Sequence, residues 1–214
     1  MDYKVVEKFV SIDGEGIRTG FPVIFLRFAG CNLKCSYCDS LYANENPKYE
    51  IMNENQIIRY CNQTGFKKIT VTGGEPLIAP SMYDLIDKLE ELNYDVNIET
   101  NGSIDISDCN ERTLITMDWK SISSGVSEKM RPGNIEFLGT KDVLKFVVGS
   151  QADLEQMKLV INKYQPRCHV FVSPVFGKIE LVDIVNFILE NKMQNVRMQL
   201  QIHKIIWDQN KRGV

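Results

Sequence analysis

The 214-residue chain lacks any apolar stretch near the ~18 residues a membrane helix needs, and its opening residues, Met1-Asp2-Tyr3-Lys4-Val5-Val6-Glu7-Lys8, hold no signal-peptide apolar region. A cytoplasmic protein with no membrane partner is expected. Excess positive charge is also missing: 25 basic against 28 acidic side chains leave a net charge of −3, and no Lys/Arg run exceeds two. That removes the electrostatic footprint of a tight nucleic-acid binder and favours a small-molecule or protein partner. No repeat, low-complexity tract or composition break marks a linker, so one domain over residues 1–214 is predicted. Hydrophobic residues at 43% and charged residues at 25% exclude a disordered, collagen-like or coiled-coil chain. Six cysteines are present without a secretory signal, which favours metal binding or catalysis over a disulfide framework.

Short apolar, β-branched runs at 23–28, 69–72, 96–99, 114–117, 144–148, 170–172 and 196–200 read as buried strands. Helical patterns lie between several of them. Ser81-Met82-Tyr83-Asp84 precedes apolar Leu85, Ile86, Leu89 and Leu92, and Ser150-Gln151-Ala152-Asp153 opens a helix to about Tyr164. Asn53 through Gln56 cap a helix near 57–61, and 181–192 forms another. The alternation predicts an α/β fold of parallel units: a partial or truncated (β/α) barrel. Functional residues in such a fold sit just after strands. The cysteine cluster, Gly73-Gly74-Glu75-Pro76, Thr100-Asn101-Gly102, Asp118-Trp119-Lys120, Ser173-Pro174 and Gln201-Ile202-His203-Lys204 are all expected there.

Cys31-Asn32-Leu33-Lys34-Cys35-Ser36-Tyr37-Cys38 places three thiols in a C-x3-C-x2-C loop. A zinc site is normally closed by four ligands, and neither His169 nor His203 stands at finger-like spacing. A thioredoxin-type pair of Cys35 and Cys38 would leave Cys31 unexplained. A [4Fe–4S] cluster on three thiolates leaves one iron open to a non-protein ligand. Cys61, Cys109 and Cys168 are isolated and read as small structural residues.

The cysteine spacing, with an aromatic before the last thiol, resembles the radical S-adenosylmethionine (SAM) superfamily, in which SAM chelates the open iron. Thr72-Gly73-Gly74-Glu75-Pro76 is similar to the superfamily's glycine-rich motif, whose backbone and carboxylate meet the methionine amino group; alone it would read as a tight turn. Glu99-Thr100-Asn101-Gly102 resembles a superfamily strand end, or equally an Asn-Gly turn.

Within the superfamily, Ser11-Ile12-Asp13-Gly14-Glu15-Gly16, Gly20, Arg27, Gly30, Cys31 through Ser40 and the ending Gln199 to Trp207 resemble the 7-carboxy-7-deazaguanine synthase family of the queuosine pathway. The resemblance implies that Ile12, Asp13, Gly14, Glu15, Arg27, Thr72, His203 and Val214 bind the pterin substrate, the tail to Val214 closing over the pocket. It assigns Tyr37, Asp39, Gly73, Gly74, Glu75, Asp118, Trp119, Lys120 and Ser173 to SAM, and Ser40 to magnesium. Two positions depart from the family: Asp13 stands for glutamine, trading an amide for an acceptor-only carboxylate, and Ser40 stands for threonine, keeping the hydroxyl. Arg27 in an apolar strand needs a carboxylate or similar partner, which could also be a structural ion pair.

The implied chemistry is electron transfer from the cluster to SAM, release of a 5′-deoxyadenosyl radical, and hydrogen abstraction from 6-carboxy-5,6,7,8-tetrahydropterin. Ring contraction to 7-carboxy-7-deazaguanine with loss of ammonia follows, with magnesium organising the substrate carboxylate. A homodimer served by an electron donor such as flavodoxin or ferredoxin is expected. The same-class alternative is a glycyl-radical or anaerobic ribonucleotide reductase activating enzyme. A remoter one is a non-catalytic iron–sulfur or zinc module.

Overall fold

The computed structural model describes residues 1–79, 81–208 and 211–214. In chain order the elements are β1 (Asp2–Ile12), β2 (Pro22–Phe28), α1 (Leu41–Asn44), β3 (Glu50–Asn53), α2 (Glu54–Thr64), β4 (Lys68–Gly73), α3 (Met82–Glu91) and β5 (Asp95–Thr100). β6 (Leu114–Lys120), α4 (Asn134–Phe137), β7 (Val143–Val148), α5 (Gln151–Tyr164), β8 (His169–Pro174), α6 (Leu181–Glu190), β9 (Val196–Met198) and α7 (His203–Ile206) complete them. The strands form one sheet ordered β3-β1-β2-β4-β5-β6-β7-β8-β9, antiparallel around β1 and parallel from β2 to β9. With β3 and β9 at its two edges, the sheet curls into an open, partial barrel.

The seven parallel strands are those expected from the apolar runs, and β1 and β3 are additional. β1 carries charges at Lys4, Glu7 and Lys8, and a register shift between Val5 and Glu7 breaks its alternation. β3 buries only Met52. An edge hairpin of this kind has no continuous apolar run to betray it. Strand β9 ends at Met198, short of the expected 200, and α6 ends at Glu190, two residues before the expected 192.

Strand pleating divides the sheet into two chemically different faces. Ile24, Leu26, Phe28, Ile69, Val71, Val96, Ile98, Ile115, Met117, Leu144, Phe146, Val148, Val170 and Val172 all join the buried apolar core, together with Leu85, Leu89, Leu154, Met157 and Ile184 of the helices. Residues at the alternate positions point the other way, to the lumen of the barrel. The helices start as the local chemistry dictates: Asn53 and Gln56 exchange side-chain and backbone bonds in a capping box, and Ser150 accepts from the Asp153 N–H. Ser81 behaves otherwise, sitting in the left-handed region at φ 56° without a side-chain cap bond, so α3 is held by packing of Leu85, Ile86 and Leu89. Among the described residues, no helix is long and apolar enough to cross a membrane.

Asn53→Ala is expected to lower stability by about 1 kcal/mol through loss of the reciprocal cap. Leu89→Ala, which empties a fully buried site, should cost ~2–5 kcal/mol. Urea unfolding at neutral pH measures both, and a larger effect of the cap than of the core residue would contradict this account.

Candidate active site

The lumen face of the strands is polar. It carries Arg27 on β2, Thr70 and Thr72 on β4, Asn97 and Glu99 on β5, Thr116, Asp118 and Lys120 on β6, Lys145 on β7 and Ser173 on β8. Asp118, Lys120, Thr72 and Ser173 therefore lie within the last turns of pleat of their strands, not in the loops after them where sequence placed Asp118 and Lys120. Trp119, between two lumen residues, projects the opposite way. Its indole sits in the core at 6.2 Å from the Phe146 ring and 6.5 Å from Tyr164, which removes its side chain from the lumen.

Lys145 organises this interior. Its ammonium lies 3.0 Å from Asp118 Oδ1 and 3.1 Å from Glu15 Oε2, while Lys120 Nζ approaches Asp118 Oδ2 at 2.9 Å. Burial alone would raise the Asp118 carboxyl, but Lys120 and Lys145 hold it down to about 2. Burial would lower the Lys145 ammonium, and Asp118, Glu15 and Glu99 push it well above its ordinary range. Glu99 is moved upward by burial, opposed by Lys145. Sequence reasoning missed Lys145, although a lysine between Leu144 and Phe146 in an otherwise apolar run was the available signal.

The loop after β1 enters the lumen from one side and the C-terminal segment covers it. The Asp13 carboxylate accepts from Thr70 Oγ1, 3.1 Å from each oxygen, and burial followed by Glu99 pushes its pKa up to about 7. Arg18, paired with Asp95 and donating to Ile69 O at 3.1 Å, opposes that rise. A Cβ on Gly14 would stand 2.0 Å from His203 Nδ1, so the imidazole packs directly on the glycine. Burial lowers the His203 pKa, opposed by Glu15. Gln199 ties the two segments: its side-chain oxygen accepts from Gly16 N–H at 2.7 Å and its amide donates to Gly16 O at 3.0 Å and Thr19 Oγ1 at 2.7 Å. Ile12 ends β1 opposite Pro22.

Arg27 Nε donates to Glu7 Oε1 at 2.9 Å, and Glu7 also accepts from the Tyr42 hydroxyl. An ion pair within the protein thus supplies one partner for the strand arginine. Arg212 of the C-terminal tail stacks over the same Tyr42 ring at 3.8 Å. Val214 is half-buried, and the tail residues Gln209 and Asn210 lie outside the described residues.

At the strands' C-terminal rim, Cys31, Cys35 and Cys38 are free, half-buried thiols. Together with Leu33, Lys34, Leu41, Asn44 and Glu45 they line a cavity of about 50 Å³. A larger hollow of about 530 Å³ along β1 and β3 includes Glu7 but none of the predicted site residues. Among the described residues, no three His, Cys, Asp or Glu side chains converge closely enough to hold one metal ion. Three thiols brought to one loop suit a cluster, which takes each thiolate on a different iron. Burial pushes the Cys35 and Cys38 thiols up, with Lys120 pulling Cys35 back.

Glycine is obligatory beside this loop. A Cβ on Gly74 would lie 1.9 Å from Asn44 Oδ1 and 2.2 Å from Gly30 O, and one on Gly73 would lie 2.3 Å from Phe28 O. Glu75 follows, fully buried: Oε1 accepts from Thr100 Oγ1 at 2.9 Å and Leu77 N–H at 3.1 Å, and Oε2 from Asn101 N–H at 2.6 Å. Burial nonetheless pushes its pKa up to about 7. Tyr37 reaches Val147 O at 3.4 Å, and Val147 is in register with Ser173, whose buried hydroxyl has no protein partner among the described residues. Asp39, its side chain 61% exposed, meets Lys204 at 3.2 Å; desolvation by surrounding atoms would raise its carboxyl, but Lys204, Lys145 and Arg27 hold it below the ordinary range. Ser40 donates to Asp39 Oδ1 at 3.2 Å and makes no helix-cap bond.

A profile of the radical SAM superfamily matches residues 26–145. The chain is 45% identical to 7-carboxy-7-deazaguanine synthase of Clostridium acetobutylicum, with 100% of both chains covered. It is 36% identical to the synthase of the same name from Methanospirillum hungatei, over 95% of this chain and 85% of that one. Among solved structures, QueE from Escherichia coli superposes with a TM-score of 0.76 over 94% of each chain at 23% identity. Streptococcus suis SuiB bound to S-adenosylmethionine shares the fold at a TM-score of 0.57 and 15% identity, over 82% of this chain and 51% of that one.

Two outcomes test the electrostatics. Asp13 has its folded pKa above the ordinary value, so the stability it contributes is complete below about pH 4 and is lost as pH rises to about 7. Asp13→Asn should therefore gain on the parent protein between pH 4 and 7, by roughly 2–4 kcal/mol at the upper end. Urea midpoints across that range measure the difference, and a constant offset would contradict the burial of a reluctant carboxylate. Lys145→Met should lose about 3–5 kcal/mol by stranding Glu15 against Asp118, with part of the loss restored by Glu15→Gln in the double variant.

Proposed function

This chain belongs to the radical SAM superfamily and, within it, to the 7-carboxy-7-deazaguanine synthases, and on that premise we propose how its residues divide the work of the reaction. The protein is a radical SAM lyase of the queuosine pathway that carries a [4Fe–4S] cluster and SAM and acts on a small-molecule substrate. The reaction converts 6-carboxy-5,6,7,8-tetrahydropterin to 7-carboxy-7-deazaguanine and releases ammonia. When bound, the cluster and SAM supply the one-electron chemistry that removes a hydrogen atom from the substrate.

Cys31, Cys35 and Cys38 hold the cluster. Gly73 and Gly74, whose Cβ positions are filled by Phe28, Gly30 and Asn44, offer only backbone to the methionine end of SAM, and the Glu75 carboxylate would take its amino group in exchange for one of its bonds to Thr100, Leu77 and Asn101. Tyr37, Asp39, Asp118, Lys120 and Ser173 surround the adenosine; Trp119 contributes backbone there, since its indole is committed to the core. The unpartnered Ser173 hydroxyl supports this placement.

The observation that carries the substrate reading is Glu15. Lys145 fixes its Oε2, while Oε1 is buried with no partner among the described residues. A buried acceptor left open costs stability unless a ligand satisfies it, and the N–H edge of a pterin is the matching donor. Ile12, Asp13, Gly14, Arg27, Thr72, His203 and Val214 complete the pterin pocket, with the His203 ring packed on Gly14. Magnesium would be held by the Ser40 hydroxyl, which lies beside the Asp39 carboxylate and is a hard oxygen donor of the kind that ion takes together with substrate oxygens. The free thiols call for a reducing compartment, in keeping with one domain acting as a cytoplasmic homodimer fed by flavodoxin or ferredoxin.

Anaerobic turnover with reconstituted protein, SAM, reductant, magnesium and 6-carboxytetrahydropterin tests the reading by mass spectrometry. Formation of 7-carboxy-7-deazaguanine is expected. Cleavage of SAM with the pterin intact would overturn the substrate assignment in favour of a protein-activating role. Cys35→Ala is expected to abolish iron binding and turnover together, and full activity in that variant would refute the cluster assignment.

A further inference from the structure

Two asparagine amides are aimed at the thiols that hold the cluster. Asn101 Nδ2 lies 3.6 Å from Cys31 Sγ, and Asn44 Nδ2 lies 3.6 Å from Cys38 Sγ. Both separations suit an N–H donor to sulfur, which is larger and softer than oxygen. Neither asparagine belongs to the residues assigned above to cluster, SAM or pterin.

The orientation of Asn101 is determined by its neighbours. Its Oδ1 accepts from the Ser103 backbone N–H at 2.9 Å and from Ser103 Oγ at 2.6 Å. The second hydrogen of Nδ2 goes to Asn32 Oδ1 at 3.0 Å. Rotating the amide by half a turn would set an oxygen against Asn32 Oδ1 and the sulfur, and lose the Ser103 bonds. The residue is 5% exposed, and its own backbone N–H is the donor to Glu75 Oε2. A side chain held by three bonds, on a backbone held by a fourth, has one hydrogen directed at a thiol and is set up before any cluster arrives.

Asn44 closes α1 on the other side of the loop. Its amide lies where a Cβ on Gly74 would be, so the glycine makes the approach to Cys38 possible. Cys31 receives a further donor, the Leu33 backbone N–H at 3.4 Å. Donors to cluster sulfur stabilise the more negative, reduced state, because the added electron increases the charge that each N–H faces. Hydrogen bonding to the sulfurs is among the factors that set the potential of such clusters.

We propose that Asn101 and Asn44 are positioning residues that raise the reduction potential of the cluster by donating N–H···S hydrogen bonds to the Cys31 and Cys38 thiolates. The inference rests on the cluster alone and not on the pterin assignment. Its test therefore uses neither pterin nor turnover.

The experiment is an anaerobic redox titration of the reconstituted protein without SAM, following the electron paramagnetic resonance signal of the reduced cluster. Iron and sulfide are counted per chain for the parent, Asn101→Ala, Asn44→Ala and the double variant. The expected result is retained iron and sulfide with a lowered midpoint. Each single variant should show a roughly tenfold smaller reduced-to-oxidised ratio at fixed poise, equivalent to ~59 mV for one electron, and the double variant a larger loss. An unchanged midpoint in a loaded variant would overturn the proposal for that residue. Failure of both variants to retain the cluster would overturn it too, since the amides would then be holding the loop together and not acting on the sulfurs. Failure of the pterin reading would leave all of these midpoints as predicted.

Discussion

The Lys145 ammonium is the constraint on which the interior of this barrel depends. A cation fully enclosed by strands is tolerable only with carboxylates around it, and Asp118 from the adjacent strand and Glu15 from the loop after β1 supply them. Lys120 returns the second oxygen of Asp118 to balance. The result joins β6, β7 and the N-terminal loop in one electrostatic unit and leaves one carboxylate oxygen of Glu15 buried without a partner among the described residues. The same four side chains thus serve stability and, in the proposed reading, ligand recognition.

A second region is governed by crowding instead of charge. Gly73 and Gly74 bring β4 against Phe28, Gly30 and Asn44, which packs the rim closely enough for the cysteine loop to rest on it. Glu75 then binds into the end of β5 through Thr100 and Asn101, and Asn101 turns its amide to Cys31. The glycine pair, the carboxylate, the strand-end asparagine and the first cysteine thus form one continuous hydrogen-bonded chain. Sequence motifs that look independent are parts of a single structure.

The open side of the sheet is handled by side chains. β9 ends early, and Gln199, the next residue, bonds both backbone groups of Gly16 and the Thr19 hydroxyl, while Ile202 N–H donates to Gly14 O at 3.2 Å. This seam places His203 on Gly14 and Lys204 on Asp39, so the last segment of the chain packs on the loops after β1 and β2. A glutamine can make such a bridge because its amide both donates and accepts.

The parallel strands were legible because each is a short apolar run, and the cysteine loop, Gly-Gly-Glu-Pro and the Asp-Gly-Glu-Gly segment were legible because their spacing is local. The antiparallel hairpin partner β1 and edge strand β3 were not, since charge and a register shift hide a strand that is half exposed. Trp119 was placed in the site with its neighbours, and only the pleat showed that adjacent residues of one strand serve opposite faces. Lys145, Gln199, Asn101 and Asn44 gained their places from partners 130, 183, 70 and 6 residues away. Sequence alone determined the parallel strands, the longer helices and the cysteine loop, because period and spacing are properties of neighbours along the chain. Tertiary structure alone decided which charges meet in the lumen and which amides reach the sulfurs, because those depend on distances that the chain closes only when the sheet curls.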